Sequence, residues 1–206
     1  MAKANRFAGM YFLGKANQMK AAFAAATAPF HEEVRTVEKD AAKYQKLVDA
    51  GKAVWEEITD DGEHYDYGSA LGERRDDAMD ALMTLRKAFT LLIYHQWERT
   101  AQRWSGVNSP NHEKLVKASQ ADGISLDEPA LELLRLLVNT LKHNSIKCGP
   151  ILHRLRPDLF EKDFDPISPH PLTGRPLSVI DWADRIVLTD VNIEEFFEIV
   201  SRSVPR

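Results

Sequence analysis

Residues 131–143 read Leu-Glu-Leu-Leu-Arg-Leu-Leu-Val-Asn-Thr-Leu-Lys-His, the most clearly amphipathic part of the chain. At about 100° of rotation per helical residue, one face of a helix here would carry Ala130, Leu133, Leu134, Leu137 and Leu141. The opposite arc would carry Glu128, Glu132, Arg135, Asn139, Lys142 and His143. The pattern predicts a central helix with burial on one face and candidate chemistry on the other.

Local signals flank this helix and predict where it begins and ends. Asp127 is a good N-cap, and Pro129 fits the first helical turn. Gly149 followed by Pro150 predicts the end of the helix. A second stretch with apolar residues at helical spacing, residues 74–104, predicts the longest helix and a packing partner for the first.

The other segments predict a mainly helical chain. Residues 3–27 are predicted to form one helix, or two broken near Gly14, closed by Pro29, and a further helix is predicted over 31–51. An acidic loop or short hairpin over 52–72 and a short helix capped at Ser109 and Pro110 complete this part of the chain. The later predicted elements are a helical turn over 151–155 that ends at 156–158, a Pro-rich connection over 163–175, a short strand around 185–188 and a last helix from 190 or 192 to about 203. We therefore predict an all-α helical bundle with two long core helices, in residues 1–160. Residues 161–206 form an extension packed on the same domain and ending in a helix.

Composition predicts a protein without a membrane span. Hydrophobic residues make up 44% of the chain and charged residues 28%, as in ordinary globular proteins. The apolar runs near the N-terminus are short, and the polar residues 15–20 argue against a signal peptide. The single cysteine, Cys148, cannot form an internal disulfide and fits a reducing compartment. These features predict a cytoplasmic protein.

Charge is strongly segregated along the chain. Residues 56–80 carry ten acidic side chains against two arginines, whereas residues 133–157 carry five basic side chains and no acid. A basic block in an acidic protein predicts a localised anionic partner, either RNA or the acidic segment of the protein itself.

The basic block also carries a candidate catalytic set. Arg135, Asn139 and His143 are spaced i, i+4 and i+8, and Lys142 joins them on the same arc. A neutral histidine can take a proton from a ribose 2′-hydroxyl, while arginine or lysine stabilises charge on the phosphate and asparagine orients either group. This set would suffice for RNA cleavage without a metal or cofactor. Other basic side chains would guide the RNA: Lys147, Arg154 and Arg156.

At these residues the chain resembles the HEPN superfamily. Its motif is an arginine, usually followed by a polar residue, with a histidine four to six positions beyond the arginine. Asn139 and His143 match the polar residue and the histidine, whereas Val138 stands where the family has arginine. Arg135 lies one helical turn earlier. The resemblance implies a helical bundle that often dimerises, and metal-independent ribonuclease activity in bacterial toxin–antitoxin or phage-defence systems. Residues 155–159 are also similar to a pattern in uncharacterised bacterial helical proteins.

Other interpretations remain open. An ordinary solvated helix face contains the same residue types as the candidate catalytic set. The chain could instead be a noncatalytic helical interaction or regulatory subunit that binds a protein partner or RNA. On the long helix, His95, Glu98, Arg99 and Gln102 share one face. Hydrogen bonding within this patch is the favoured interpretation, and a metal site using His95 and Glu98 is the weaker one.

Overall fold

The computed structural model describes residues 2–58, 61–62, 64–109, 111–166 and 180–206, with side chains from residue 7 onward. Its elements are α1 (Ala2–Asp49), β1 (Glu56–Ile58), β2 (His64–Asp66), α2 (Tyr67–Ser105), α3 (His112–Ala121), α4 (Glu128–His143), α5 (Cys148–Leu155), a 3₁₀ turn (Pro157–Leu159) and α6 (Asp190–Arg202). The predicted all-α helical bundle is confirmed. The described residues add one antiparallel hairpin, in which Glu57 faces Tyr65. No described helix combines the length and apolar character needed to cross a membrane.

The chain divides into two compact units. One comprises Met1–Ala21 and Arg86–Arg206, and the other comprises Ala22–Leu85. Within the first unit α4 contacts both α5 and α6. The predicted domain boundary at residue 160 stays a prediction, and most of the predicted Pro-rich connection lies outside the described residues.

Both long helices differ from their predicted bounds. The two predicted N-terminal helices are one helix, α1, which continues through Gly14 and Pro29. Pro29 is exposed, so water can bind the carbonyl group that loses its helical partner there. Helix α2 begins at Tyr67 and has 39 residues, whereas α1 has 48. The prediction that the second helix is the longest was therefore wrong.

Two tryptophans of α2 anchor the first unit. Trp97 is fully buried, and its Nε1–H donates to the backbone oxygen of Ser203 at 2.9 Å. Trp104 is also buried and donates through Nε1–H to Oγ of Ser119 at 2.8 Å. Because a buried N–H without an acceptor is costly, these bonds favour one packing of α2 against α3 and the end of α6.

In the second unit the predicted acidic loop or hairpin is a hairpin, supported by aromatic rings. The ring centroids of Tyr44 and Tyr67 are 4.2 Å apart, and those of Tyr44 and Trp55 are 4.9 Å apart. Tyr44 also donates its hydroxyl proton to the backbone oxygen of Val54 at 2.8 Å. These contacts hold the hairpin against α1 within this unit.

Helix α4 begins as predicted and ends earlier than predicted. Asp127 is its N-cap and accepts from the backbone N–H of Ala130, with Pro129 in the first turn. The helix ends at His143 because Asn144 adopts the left-handed conformation at φ 46°. Pro150 does not end α4. It lies in the first turn of α5, where a missing N–H costs no helical hydrogen bond.

The buried surface of α4 is broader than predicted. Leu134 and Leu137 are buried as expected, whereas Ala130, Leu133 and Leu141 are only half-buried. The additional buried residues are Leu131, Leu136, Val138 and Thr140. A helix that contacts several neighbours buries more than one stripe, which explains the difference.

Several shorter predicted elements differ in detail. Asn111 caps α3 in place of the predicted Ser109–Pro110 pair, and Pro110 lies outside the described residues. The predicted strand around 185–188 is a single bridge between Ile186 and Phe160. The end of α5 at Arg156 and the last helix, α6, are confirmed.

Substitution of Asn144 should measurably lower the free energy of unfolding. Its Oδ1 accepts from the backbone N–H of Trp182 at 2.7 Å, and its Nδ2 donates to the backbone oxygen of Ile180. We expect Asn144→Ala to lower the free energy of unfolding by about 2 kcal/mol, since it loses these bonds and strains a left-handed residue. Asn144→Gly should lose less, because glycine tolerates the backbone conformation. Urea unfolding of both variants tests this, and equal losses would contradict the strain contribution.

Candidate active site

Helices α2, α3 and α4 surround a polar cleft in the first unit. Its cavity volume is about 1330 Å³. The side chains that line it are Leu92, Tyr94, His95, Glu98, Arg99, Gln102, Asn111, His112, Glu113, Val116, Lys117, Glu128, Glu132, Arg135, Val138, Asn139 and Lys142. The cleft therefore contains the polar arc predicted on α4, except for its last residue.

The predicted catalytic set is divided by this geometry. Arg135, Asn139 and Lys142 line the cleft, whereas His143 is not among the described lining residues. His143 is exposed and is the last residue of α4. Val138, which stands where the HEPN motif has arginine, has only 1% of its surface exposed. Arg135, one turn earlier, is the arginine that α4 contributes to the cleft.

The predicted RNA-guiding residues lie around α5. Lys147 and Arg154 are exposed. Arg156 instead donates from its guanidinium to the carboxylates of Asp158 and Glu195, with Nη1 to Glu195 Oε1 at 2.8 Å. These partners raise the pKa of Arg156 and balance its charge. Its guanidinium is thus committed to linking the chain after α5 to α6.

The α2 side of the cleft carries a carboxylate–imidazole pair. His95 Nδ1 and Glu98 Oε2 are 2.8 Å apart, which confirms the predicted hydrogen bonding for this pair, whereas Arg99 donates to Gln96, outside the predicted patch. Because a carboxylate only accepts, the proton of a neutral imidazole lies on Nδ1 and Nε2 remains basic. The His95 side chain is 39% exposed, and among the described residues its Nε2 has no hydrogen-bond partner. Arg99 and Gln102 line the cleft beside this pair.

A second histidine, His112 of α3, lies between α2 and α4. Asn111 caps α3 by accepting from the backbone N–H of Lys114, which makes His112 the first residue of that helix. The Nδ1 atom of His112 is 2.9 Å from the hydroxyl oxygen of Tyr94, and its Nε2 is 3.6 Å from Oε2 of Glu132. Burial lowers the pKa of His112, so the imidazole is neutral at pH 7.

The charges that line the cleft are balanced. The acidic side chains are Glu98, Glu113, Glu128 and Glu132, and the basic side chains are Arg99, Lys117, Arg135 and Lys142. A long nucleic-acid duplex would favour a uniformly basic binding surface. A cleft with equal numbers of acidic and basic side chains and two histidines instead suits a single polar group of a ligand, held among specific partners. The cleft can therefore combine proton transfer by His95 with stabilisation of negative charge by Arg99, Arg135 or Lys142.

The sequence did not predict Tyr94 and His112 as cleft residues. Their contact joins positions 18 residues apart on two different helices, and no local spacing signals it. The i, i+3 spacing of His95 and Glu98 did identify their pairing. That spacing could not place the pair in the same cleft as Arg135, because the placement depends on how α2 and α4 pack.

Among the described residues, no three His, Cys, Asp or Glu side chains are grouped so that they could hold a metal ion. Comparison of the chain with models of known protein families, with curated proteins and with solved structures finds no match.

Proposed function

We propose that the cleft binds single-stranded RNA and cleaves its backbone without a metal ion, as a HEPN-like ribonuclease would. One observation carries the proposal: a histidine oriented by a carboxylate, His95 with Glu98, lines the same cleft as Arg99, Arg135 and Lys142. This combination supplies a general base and stabilising cations for a phosphodiester.

The proposed reaction uses the ribose 2′-hydroxyl as nucleophile. His95 Nε2 removes its proton, and the 2′-oxygen forms a bond to the adjacent phosphorus. The bond from phosphorus to the 5′-oxygen breaks, and that oxygen takes a proton from solvent. The products are a 2′,3′-cyclic phosphate and a 5′-hydroxyl. Arg135 and Lys142 stabilise the charge that develops on the phosphate oxygens, and Asn139 orients the phosphate.

This assignment differs from the one predicted from the sequence in its general base. His143 is exposed at the end of α4 and His112 has both ring nitrogens close to Tyr94 and Glu132, whereas His95 is oriented and accessible. Outside the cleft, Lys147 and Arg154 guide the RNA by attraction to its phosphates. Arg156 is left out of the RNA surface because two carboxylates already bind it.

The biological setting is part of the same proposal. The resemblance at Asn139, the matching motif residue that lines the cleft, together with the all-α fold, supports an effector of a bacterial toxin–antitoxin or phage-defence system that acts as a homodimer. The single cysteine supports a cytoplasmic location.

A second candidate function is a noncatalytic interaction or regulatory subunit. Its support is a group of exposed apolar side chains beside the basic residues of α5: Ile146 is 74% exposed, Leu155 is 55% exposed and Ile151 is 42% exposed. A protein partner would cover such a surface. This candidate predicts no cleavage of RNA by the isolated chain.

Incubation with RNA and with DNA of the same sequence, both single-stranded and in EDTA, tests the proposal. We expect the RNA to be cut, leaving 2′,3′-cyclic phosphate ends, and the DNA to remain intact because it lacks the 2′-hydroxyl. Intact RNA at micromolar protein concentration would reject the ribonuclease and favour the interaction subunit.

A further inference from the structure

Four side chains that line the cleft form a path of successive contacts from α2 to α4. Tyr94 contacts His112 at 2.9 Å, and His112 Nε2 lies 3.6 Å from Glu132. Glu132 then accepts two hydrogen bonds from Arg135, from Nε at 2.7 Å and from Nη2 at 2.6 Å. The path joins α2, α3 and α4 and ends on an arginine that lines the cleft.

Burial and charge shift the pKa values of the titratable groups along this path. The hydrogen bond from Arg135 is the largest cause that lowers the pKa of Glu132, so its carboxylate is ionised and only accepts protons. The Nε2 atom of the neutral His112 faces this carboxylate at 3.6 Å, a polar contact that is longer than a hydrogen bond. His112 Nδ1 shares a hydrogen bond with the hydroxyl of Tyr94 at 2.9 Å. The pKa of Tyr94 is raised mainly by burial, and its hydroxyl also shares a hydrogen bond with Glu98.

The path also determines what Arg135 can offer a ligand. A guanidinium has five N–H donors, and Glu132 uses one on Nε and one on Nη2. Within the part of the chain that the structure describes, no other group accepts from the remaining three donors, two of which are on Nη1, and the side chain is 29% exposed. A planar fork of free donors held in one orientation matches two oxygens of a phosphate group.

We propose that Tyr94 and His112 are positioning residues that, through Glu132, hold Arg135 ready to bind a phosphate group of the RNA. The inference deepens the proposed function and rests on it for the identity of the ligand. An unrestrained arginine loses rotamer freedom when it binds, whereas Arg135 is already ordered by Glu132. Loss of the path should therefore weaken phosphate binding even though neither Tyr94 nor His112 belongs to the reacting groups.

The test observes Arg135 directly, by its Nε–H signal in a ¹⁵N–¹H spectrum of the full chain. Arg135→Lys assigns the signal by removing it. We expect a persistent signal in the wild type because Glu132 accepts this proton. Tyr94→Phe and His112→Leu should broaden or shift the signal. His112→Gln should retain it, since the glutamine amide can still donate toward Glu132.

Binding of a 2′-O-methylated oligoribonucleotide gives a second readout that does not require cleavage. We expect Tyr94→Phe to raise the dissociation constant about tenfold. Tyr65→Phe, a matched change at a 49% exposed tyrosine of the hairpin, should leave it unchanged. Circular dichroism verifies that each variant is folded, and Tyr94→Phe serves if His112→Leu does not fold.

The outcomes separate this inference from the proposed function. If Tyr94→Phe changes neither the Arg135 signal nor the affinity for the oligoribonucleotide, the positioning role is wrong, whether or not the protein cleaves RNA. A wild type that neither binds nor cleaves RNA overturns the proposed function and with it the ligand assigned to Arg135. Dependence of both readouts on Tyr94 and His112 supports the inference.

Discussion

Gly149→Ala should lower the free energy of unfolding by about 3 kcal/mol. A Cβ at this position would lie 2.4 Å from both Cγ and Cδ2 of the Trp182 ring. The ring cannot move aside cheaply, because Trp182 is 4% exposed and packs edge-on against Phe160 and Phe164. Helix propensity alone would give the opposite result, because it favours alanine over glycine inside a helix by about 1 kcal/mol. The steric clash is therefore expected to outweigh this stabilisation.

Gly14→Ala is the matched control for this prediction. Gly14 is also inside a helix, α1, but a Cβ there would meet no atom within 4 Å. We expect this change to raise the free energy of unfolding by about 0.5–1 kcal/mol. Urea unfolding of both variants gives the comparison. Equal stabilisation by the two changes would show that α5 does not pack against Trp182 as described.

Helix boundaries were predictable where the signal is local. Asp127 with Pro129 marks the start of α4, and Thr189 caps α6 through a reciprocal pair with Asn192 close to the predicted start. The end of α4 was missed because Asn144 is held in its left-handed conformation by contacts with the distant residues 180–183. Gly149 and Pro150 looked like a stop signal, yet the same residues suit the first turn of a new helix.

The candidate site was predictable only in part. Periodicity placed Arg135, Asn139 and Lys142 on one arc of α4, and these three residues do line one cleft. Periodicity cannot tell where an arc faces a neighbour and where it faces solvent, so it included His143. The histidine on α2 enters the cleft through the packing of α2 and α4, which a single sequence does not encode as a spacing.

His95→Ala should lower the rate of RNA cleavage by about 10²- to 10⁴-fold, the usual contribution of a general base. The change removes the only group assigned to take the 2′-hydroxyl proton. It should leave folding and RNA affinity nearly unchanged, because the His95 side chain is 39% exposed and bonded only to its neighbour Glu98 among the described residues. Glu98→Gln should cause a smaller loss, since the imidazole remains but its orientation and basicity change.

The role of His95 as general base is tested most directly by single-turnover cleavage of one RNA, in EDTA, by the wild type, His95→Ala and His143→Ala. We expect His95→Ala to be slower by at least about 10²-fold and His143→Ala to retain the wild-type rate. The reverse pattern, with activity lost in His143→Ala and kept in His95→Ala, would contradict the cleft as the catalytic site. It would instead assign the general base to His143, at the end of α4.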